Sequence, residues 1–256
     1  MITDFGVLER YFLSSLQNID EQVMLYSCRC LQKLLSGKGG TGSYNEGTQE
    51  LLIKRQGIQI LKICSIDEMI DIRVSSLDIL AHLCQVRRDV HDILVDIGML
   101  KICCEYVQTY PNELVDGKVL SLSLEILSSI FEEKKTVDDG LVSAEYLQSV
   151  LIQVFNFLKY YTDAPQKQLA LPPEDIEVMR QSLKKLCKCS ALICKKSPQL
   201  ANMIRQMKLL DQVITSLNEG IRNMTTVHKP TIYNENLVLN ILKLLNASVE
   251  GQVQNI

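Results

Sequence analysis

Apolar residues recur at helical spacing along most of the chain, and the breaks between these runs are polar or glycine- and proline-bearing. Val7, Leu8, Tyr11, Phe12 and Leu16 form one helical face, and Val23, Tyr26, Cys30, Leu31 and Leu34 form a second. The turn Asn18-Ile19-Asp20-Glu21 divides them, which predicts an antiparallel helical hairpin. The following stretch, SGKGGTGSYNEGTQ at 36–49, holds five of the twelve glycines and no aliphatic residue, and reads as a surface loop. Next come a short helix at 51–56, a hairpin of helices at 58–66 and 71–84 joined by Asp67-Glu68, and a second short helix at 89–96. Helices at 99–110 and 117–131 follow, broken at Pro111-Asn112-Glu113, with a polar link at 132–139. The same spacing predicts helices at 146–161, 176–195, 199–206 and 237–245.

The order short, medium, long repeats with a period. Gly57, Gly98 and Gly140 stand at equivalent junctions, and the intervals between them, 41 and 42 residues, define a repeat of about 42. Insertions at 36–49, 162–175 and 218–234 account for the looser copies. Five units can then be drawn over one domain, 1–256: 4–50, 51–97, 98–139, 140–206 and 207–256. No unit of three short helices buries both its faces alone, so stacking on its neighbours must supply the core.

Composition agrees with an all-α chain: 46% of residues are apolar, only 5% are aromatic, and tryptophan is absent. The net charge of -3 and pI near 5.7 provide no global basic field, so nucleic acid is not favoured as a partner. Charges interrupt every apolar run before the length of a membrane span, and neither a transmembrane helix nor a signal peptide is expected. All nine cysteines fall within helical apolar patterns, as small core residues do, which points to a reducing compartment, cytoplasmic and also nuclear. The sequons at Asn223 and Asn246 are then expected to be unmodified.

The unit from Gly57 to Gly98 resembles an armadillo repeat. Gly57-Ile58, Leu61, the acidic pair Asp67-Glu68, then Val74, Leu77, Leu80 and Leu83, and finally Ile93, Val95 and Gly98-Met99-Leu100 stand where that family has its glycine, apolar helices, acidic turn and closing glycine. The resemblance implies a right-handed superhelical solenoid of about five repeats and a non-catalytic binding platform with a concave surface of third helices. Family members that clasp extended peptides often carry a ladder of asparagines there. The matching positions here are Lys33, His82, Ser129 and Leu244, which argues against an importin-like mode.

No residue constellation specifies a reaction, a cofactor or a metal. Lys38 precedes its glycines, and no G-K-[ST] follows a strand, so 36–49 is no phosphate loop. The pairs Cys28-x-Cys30 and Cys187-x-Cys189 point about 200° apart on a helix and cannot share a tetrahedral ion. His82, His91 and His228 lack a nucleophile in a strand-turn-helix setting. His82 has two readings, a bond to a neighbouring turn or a partner contact. The third-helix surface offers Arg73, Ser76, Glu125 and Ser129 as partner contacts. Lys184, Lys185 and Lys188, followed by Lys195 and Lys196, form a basic run that suits an acidic peptide or helix or, equally, a solvated face.

The expected function is a scaffold or adaptor that binds a partner segment in the concave groove. Two other readings remain open: a regulatory or exchange-factor module embracing a folded chaperone or small GTPase, and the interaction domain or isoform of a longer protein.

Overall fold

The computed structural model describes residues 11, 13–35, 43–54, 56–110, 116–134, 141–163, 173–225 and 233–250. Among them lie twelve helices: α1 (Glu21–Leu35), α2 (Ser43–Lys54), α3 (Gly57–Cys64), α4 (Ile70–Val86), α5 (Asp89–Asp96), α6 (Met99–Thr109), α7 (Gly117–Glu133), α8 (Ala144–Asp163), α9 (Pro173–Lys196), α10 (Pro198–Gln206), α11 (Leu209–Thr225) and α12 (Glu235–Glu250). Val7, Leu8, Phe12, Gly140, His228 and the middles of the three expected insertions lie outside the described residues.

The backbone gathers into two compact units, one of Met1–Met99 with Asn112–Ile126, the other of Leu100–Pro111 with Leu127–Ile256. In the first, α1 packs on α4 and α2, α3 on α2 and α4, and α5 on α4. Its core is a branched aliphatic set, Leu31, Leu52, Ile58, Leu61, Ile72, Leu77, Leu80 and Leu83, each at most 1% exposed. Each such side chain contributes about 1.5–3 kcal/mol by leaving water. In the second unit α9 packs along α12, α8 along α9 and α11, and α10 beside α9, α11 and α12. Leu151, Leu186, Ile193, Val213 and Ile241 fill its interior.

Side-chain ties recur at about one repeat of sequence separation. Arg29 pairs with Asp71 at 3.3 Å and Gln32 donates to Asp78 at 2.9 Å in the first unit. In the second, Tyr146 donates to Glu105 at 3.2 Å, Gln153 to the Tyr110 carbonyl at 2.7 Å, and Arg205 to the Ser248 carbonyl at 2.8 Å. These separations in sequence run from 41 to 46 residues, close to the spacing of the glycines.

The junctions carry a backbone signature that the glycines only partly marked. Among the described residues, positive φ occurs at Gln56 (58°), Gly98 (76°) and Lys208 (56°). They stand between α2 and α3, α5 and α6, and α10 and α11, so one left-handed residue turns each short helix into the next. Gly57 is therefore not the left-handed residue of its junction. Its missing side chain instead lets α3 begin against α2: a Cβ there would lie 2.8 Å from the Leu52 Cα and 2.9 Å from its carbonyl oxygen.

Three local expectations need correction. The stretch 36–49 is not all loop, because α2 starts at Ser43 and buries Thr48 and Gln49. The polar insertion at 218–234 likewise begins as helix, since α11 runs to Thr225. Gly220 leaves room there for the buried Tyr233 ring, whose Cδ1 would lie 2.4 Å from an added Cβ. Finally, α1 buries Leu25, Cys28, Leu31 and Leu35 and exposes Val23, Tyr26 and Cys30. Apolar residues surround this helix, and its contacts with α4 and α2 chose the other face.

Candidate functional site: a cavity across three third helices

In the first compact unit the long helices that the sequence assigns as third helices are α1, α4 and the start of α7. Helix α4 begins just after Asp67, whose Oδ1 accepts the Met69 amide at 2.9 Å. Arg73 reaches back to the Asp67 carbonyl, and the Ser76 hydroxyl donates to the Arg73 carbonyl at 2.9 Å. Both are interior residues, 3% and 0% exposed. This corrects their placement on the third-helix surface: Arg73 fastens the turn before α4, and Ser76 bonds within the helix.

Further along α4, one face carries Asp78, His82 and Gln85, which helical spacing sets in line. They line a cavity of about 250 Å³. Helix α1 contributes Gln32 and Leu35, α7 contributes Leu122 and Glu125, and Ile79 and Ala81 complete the α4 side. The walls are tied across repeats. Gln32 on α1 donates to Asp78 on α4 at 2.9 Å, and Gln85 on α4 donates to Glu125 on α7 at 2.9 Å. Half-buried His82 lines the same cavity, and its buried Nε2 has no hydrogen-bond partner among the described residues. Among the described residues the lining holds two carboxylates and no lysine or arginine. Leu35 and Ile79, 2% and 1% exposed, form an apolar floor.

Two expected site residues, His82 and Glu125, thus share one cavity. Gln32, Asp78 and Gln85 were not anticipated, although 78 and 85 follow from 82 by one helical turn in each direction. Half-buried Ser129 is not part of the lining. The lysines of α9 lie in the second unit. Lys188 pairs with Glu132 at 2.6 Å, while Lys184 and Lys185 are half-buried. Lys196 donates to the carbonyls of Phe131, Glu132 and Lys134 at the end of α7, the Glu132 contact at 2.7 Å. Burial pushes its ammonium below the ordinary lysine value, Lys195 adding to the shift and Glu132 opposing it.

The remaining polar groups with chemistry in them are built into the structure. His91 Nε2 meets the Cys84 carbonyl at 2.8 Å and closes the end of α4. None of the nine cysteines is in a disulfide, and all but Cys30 are buried. That exposed thiol corrects the expectation of nine core cysteines. Burial pushes the Cys84, Cys187 and Cys189 thiols up to about 12 and Cys194 to about 11. A hydrogen bond to Cys64, followed by burial, raises Cys28 as well. Among the described residues no three His, Cys, Asp or Glu side chains gather as metal ligands would, and no helix is long and apolar enough to cross a membrane.

No protein-family profile and no curated protein sequence matches the chain. Solved structures do. An engineered protein from a structural genomics consortium aligns with a TM-score of 0.53 at 13% identity, over 95% of this chain and 97% of its own. A second engineered protein from the same consortium gives 0.52 at 13% identity, covering 95% and 98%. A designed armadillo repeat protein, solved in complex with the peptide (KR)4, gives 0.51 at 15% identity, covering 94% and 98%. At these identities the likeness is one of fold, and that fold is an all-α helical repeat of the armadillo type.

Proposed function

We propose that this chain is a non-catalytic interaction platform that receives a segment of a partner protein across α1, α4 and α7. The observation that carries this reading is the cavity, on which the long helices α1, α4 and α7 converge. The helix-to-helix bridges Gln32–Asp78 and Gln85–Glu125 hold the walls in place before a partner arrives, so little of the binding energy goes to ordering them. A fold of this type accommodates a peptide in the designed repeat protein solved with (KR)4, which supports the same use here. The α9 lysines are weaker candidates for an acidic segment, because Lys188 already has Glu132 and Lys196 is engaged by main-chain carbonyls. Nine cysteines outside any disulfide suit a reducing compartment, cytoplasmic or nuclear.

Affinity purification of wild type beside Gln85→Ala/His82→Ala, with quantitative comparison of co-purifying proteins, tests the reading. Both positions lie at the cavity surface, so folding should persist and specific partners should drop out. An unchanged partner profile refutes it.

A further inference from the structure

We infer that the outer face of α12 pairs with α12 of a second copy of this chain, the two helices lying parallel about a two-fold axis with Asn246 against Asn246. The inference concerns the second compact unit and does not depend on the reading of the cavity. Helix α12 is apolar on two faces. One, with Leu237, Ile241, Leu244 and Ala247, is buried, and the helix packs on α9, α10 and α11. The other carries Leu239, Leu242 and Val249, which are 49%, 46% and 48% exposed. A helix that is apolar on opposite faces calls for cover on both.

The exposed stripe has the spacing of a coiled-coil seam. Leu239, Leu242, Asn246 and Val249 are separated by three, four and three residues, so they take successive a, d, a and d places of a heptad. Half-buried Val238 and Leu245 border the stripe on one side, exposed Lys243 and Glu250 on the other. Its polar member, Asn246, points to the occupant. Covered by a purely apolar helix, the amide would lose its hydrogen bonds to water and gain none, which opposes binding. An amide is its own complement, since it holds donors and an acceptor together. A second copy in parallel register brings its own Asn246 to the same level, where each amide donates to the other, while Leu239, Leu242 and Val249 meet their counterparts. Within one chain the Asn246 Nδ2 donates to Glu250 Oε1 at 2.6 Å. That bond orients the group and leaves its carbonyl oxygen and second N–H for the partner. An antiparallel pairing that sets Leu239 on Val249 would put Asn246 opposite Leu242, so the asparagine selects the parallel arrangement.

Sedimentation equilibrium of the intact chain over a range of concentrations tests the inference. The stripe covers about three helical turns, less than a standard interface, so a reversible monomer–dimer equilibrium with a dissociation constant on the order of 10–100 µM is expected. Leu242→Glu should weaken it at least ~10-fold, by placing like charges at one level of the seam. Asn246→Asp and Asn246→Lys should each be monomeric for the same reason, and their equimolar mixture should recover the dimer. Leu242 and Asn246 are both exposed, so melting curves of the variants should match wild type and confirm that they are folded. A wild-type chain that stays monomeric at every concentration, as when the stripe instead takes a helix of another protein, overturns the inference. So does a dimer indifferent to Leu242→Glu, and so does a mixture of the two charged variants that remains monomeric.

Discussion

Lys208→Gly should stabilise the protein, although it removes a side chain from the junction of α10 and α11. Lys208 has φ 56°, a left-handed conformation in which a Cβ crowds the following carbonyl and costs about 1–2 kcal/mol. Glycine removes that strain but adds roughly 0.5–1 kcal/mol of unfolded-state entropy to be lost on folding. The Lys208 side chain is exposed, so little else changes, and a net gain of about 0.5–1 kcal/mol remains. Gly98 supplies the reverse experiment at the junction of α5 and α6. Its φ is 76°, and an added Cβ would meet no atom within 4 Å, so Gly98→Ala reports backbone strain offset only by unfolded-state entropy. It should cost about 1 kcal/mol, and Gly98→Asn less, because asparagine tolerates the left-handed region. Urea unfolding followed by circular dichroism measures both changes, with amide hydrogen exchange to localise them to α10–α11 and α5–α6. A neutral or destabilising Lys208→Gly, or a harmless Gly98→Ala, would show that the shared left-handed corner is not what joins these helices.

Gly57→Ala should also destabilise, by about 1–3 kcal/mol, because its Cβ would overlap the Leu52 backbone and α2 and α3 would have to separate; chemical denaturation checks this against the small opposing gain in helix propensity. Lys196→Met removes the donor to three carbonyls at the end of α7 and should cost about 1–2 kcal/mol, with exchange protection falling around Phe131. Arg87 holds Asp89 through two hydrogen bonds, at 3.0 and 2.8 Å, and the guanidinium keeps that carboxyl below its usual range. Its contribution is therefore complete above the unfolded carboxylate value and is lost as pH falls from there through the lower folded value, so Asp89→Asn should flatten the acid limb of a melting-temperature profile below about pH 4. Maleimide at neutral pH should modify one cysteine of the native chain, Cys30, and all nine after denaturation; mass spectrometry counts the adducts, and rapid labelling of Cys84, Cys187 or Cys189 would contradict their raised thiol values.

Helix spacing in the sequence placed α3 through α7 within a turn of their ends, because apolar periodicity and glycine or proline breaks agree there. Those signals faltered where chemistry is local and packing is not. Glycine-rich 36–49 resembled a loop, yet Thr48 and Gln49 are buried in α2, which packs on α1 and α3. In α1 two apolar faces competed, and only the presence of α4 and α2 decided between them. Part of the site was legible: His82 emerged from its repeat position alone. Gln32 and Asp78 did not, since their pairing depends on how two third helices lie side by side. Arg73 misled because a charged residue in a third helix reads as surface, whereas here it reaches back to the Asp67 carbonyl.

The glutamine–carboxylate bridges have a thermodynamic consequence beyond recognition. Each joins one repeat only to the next, so α1, α4 and α7 are coupled through nearest neighbours and their stabilities need not rise or fall together. A segment seated on all three would add the missing direct link between the first and the third. Occupancy should then merge fraying of separate helices into one opening event, visible as exchange rates across the three helices converging on a common free energy. In such a chain the bound partner supplies cooperativity as well as specificity.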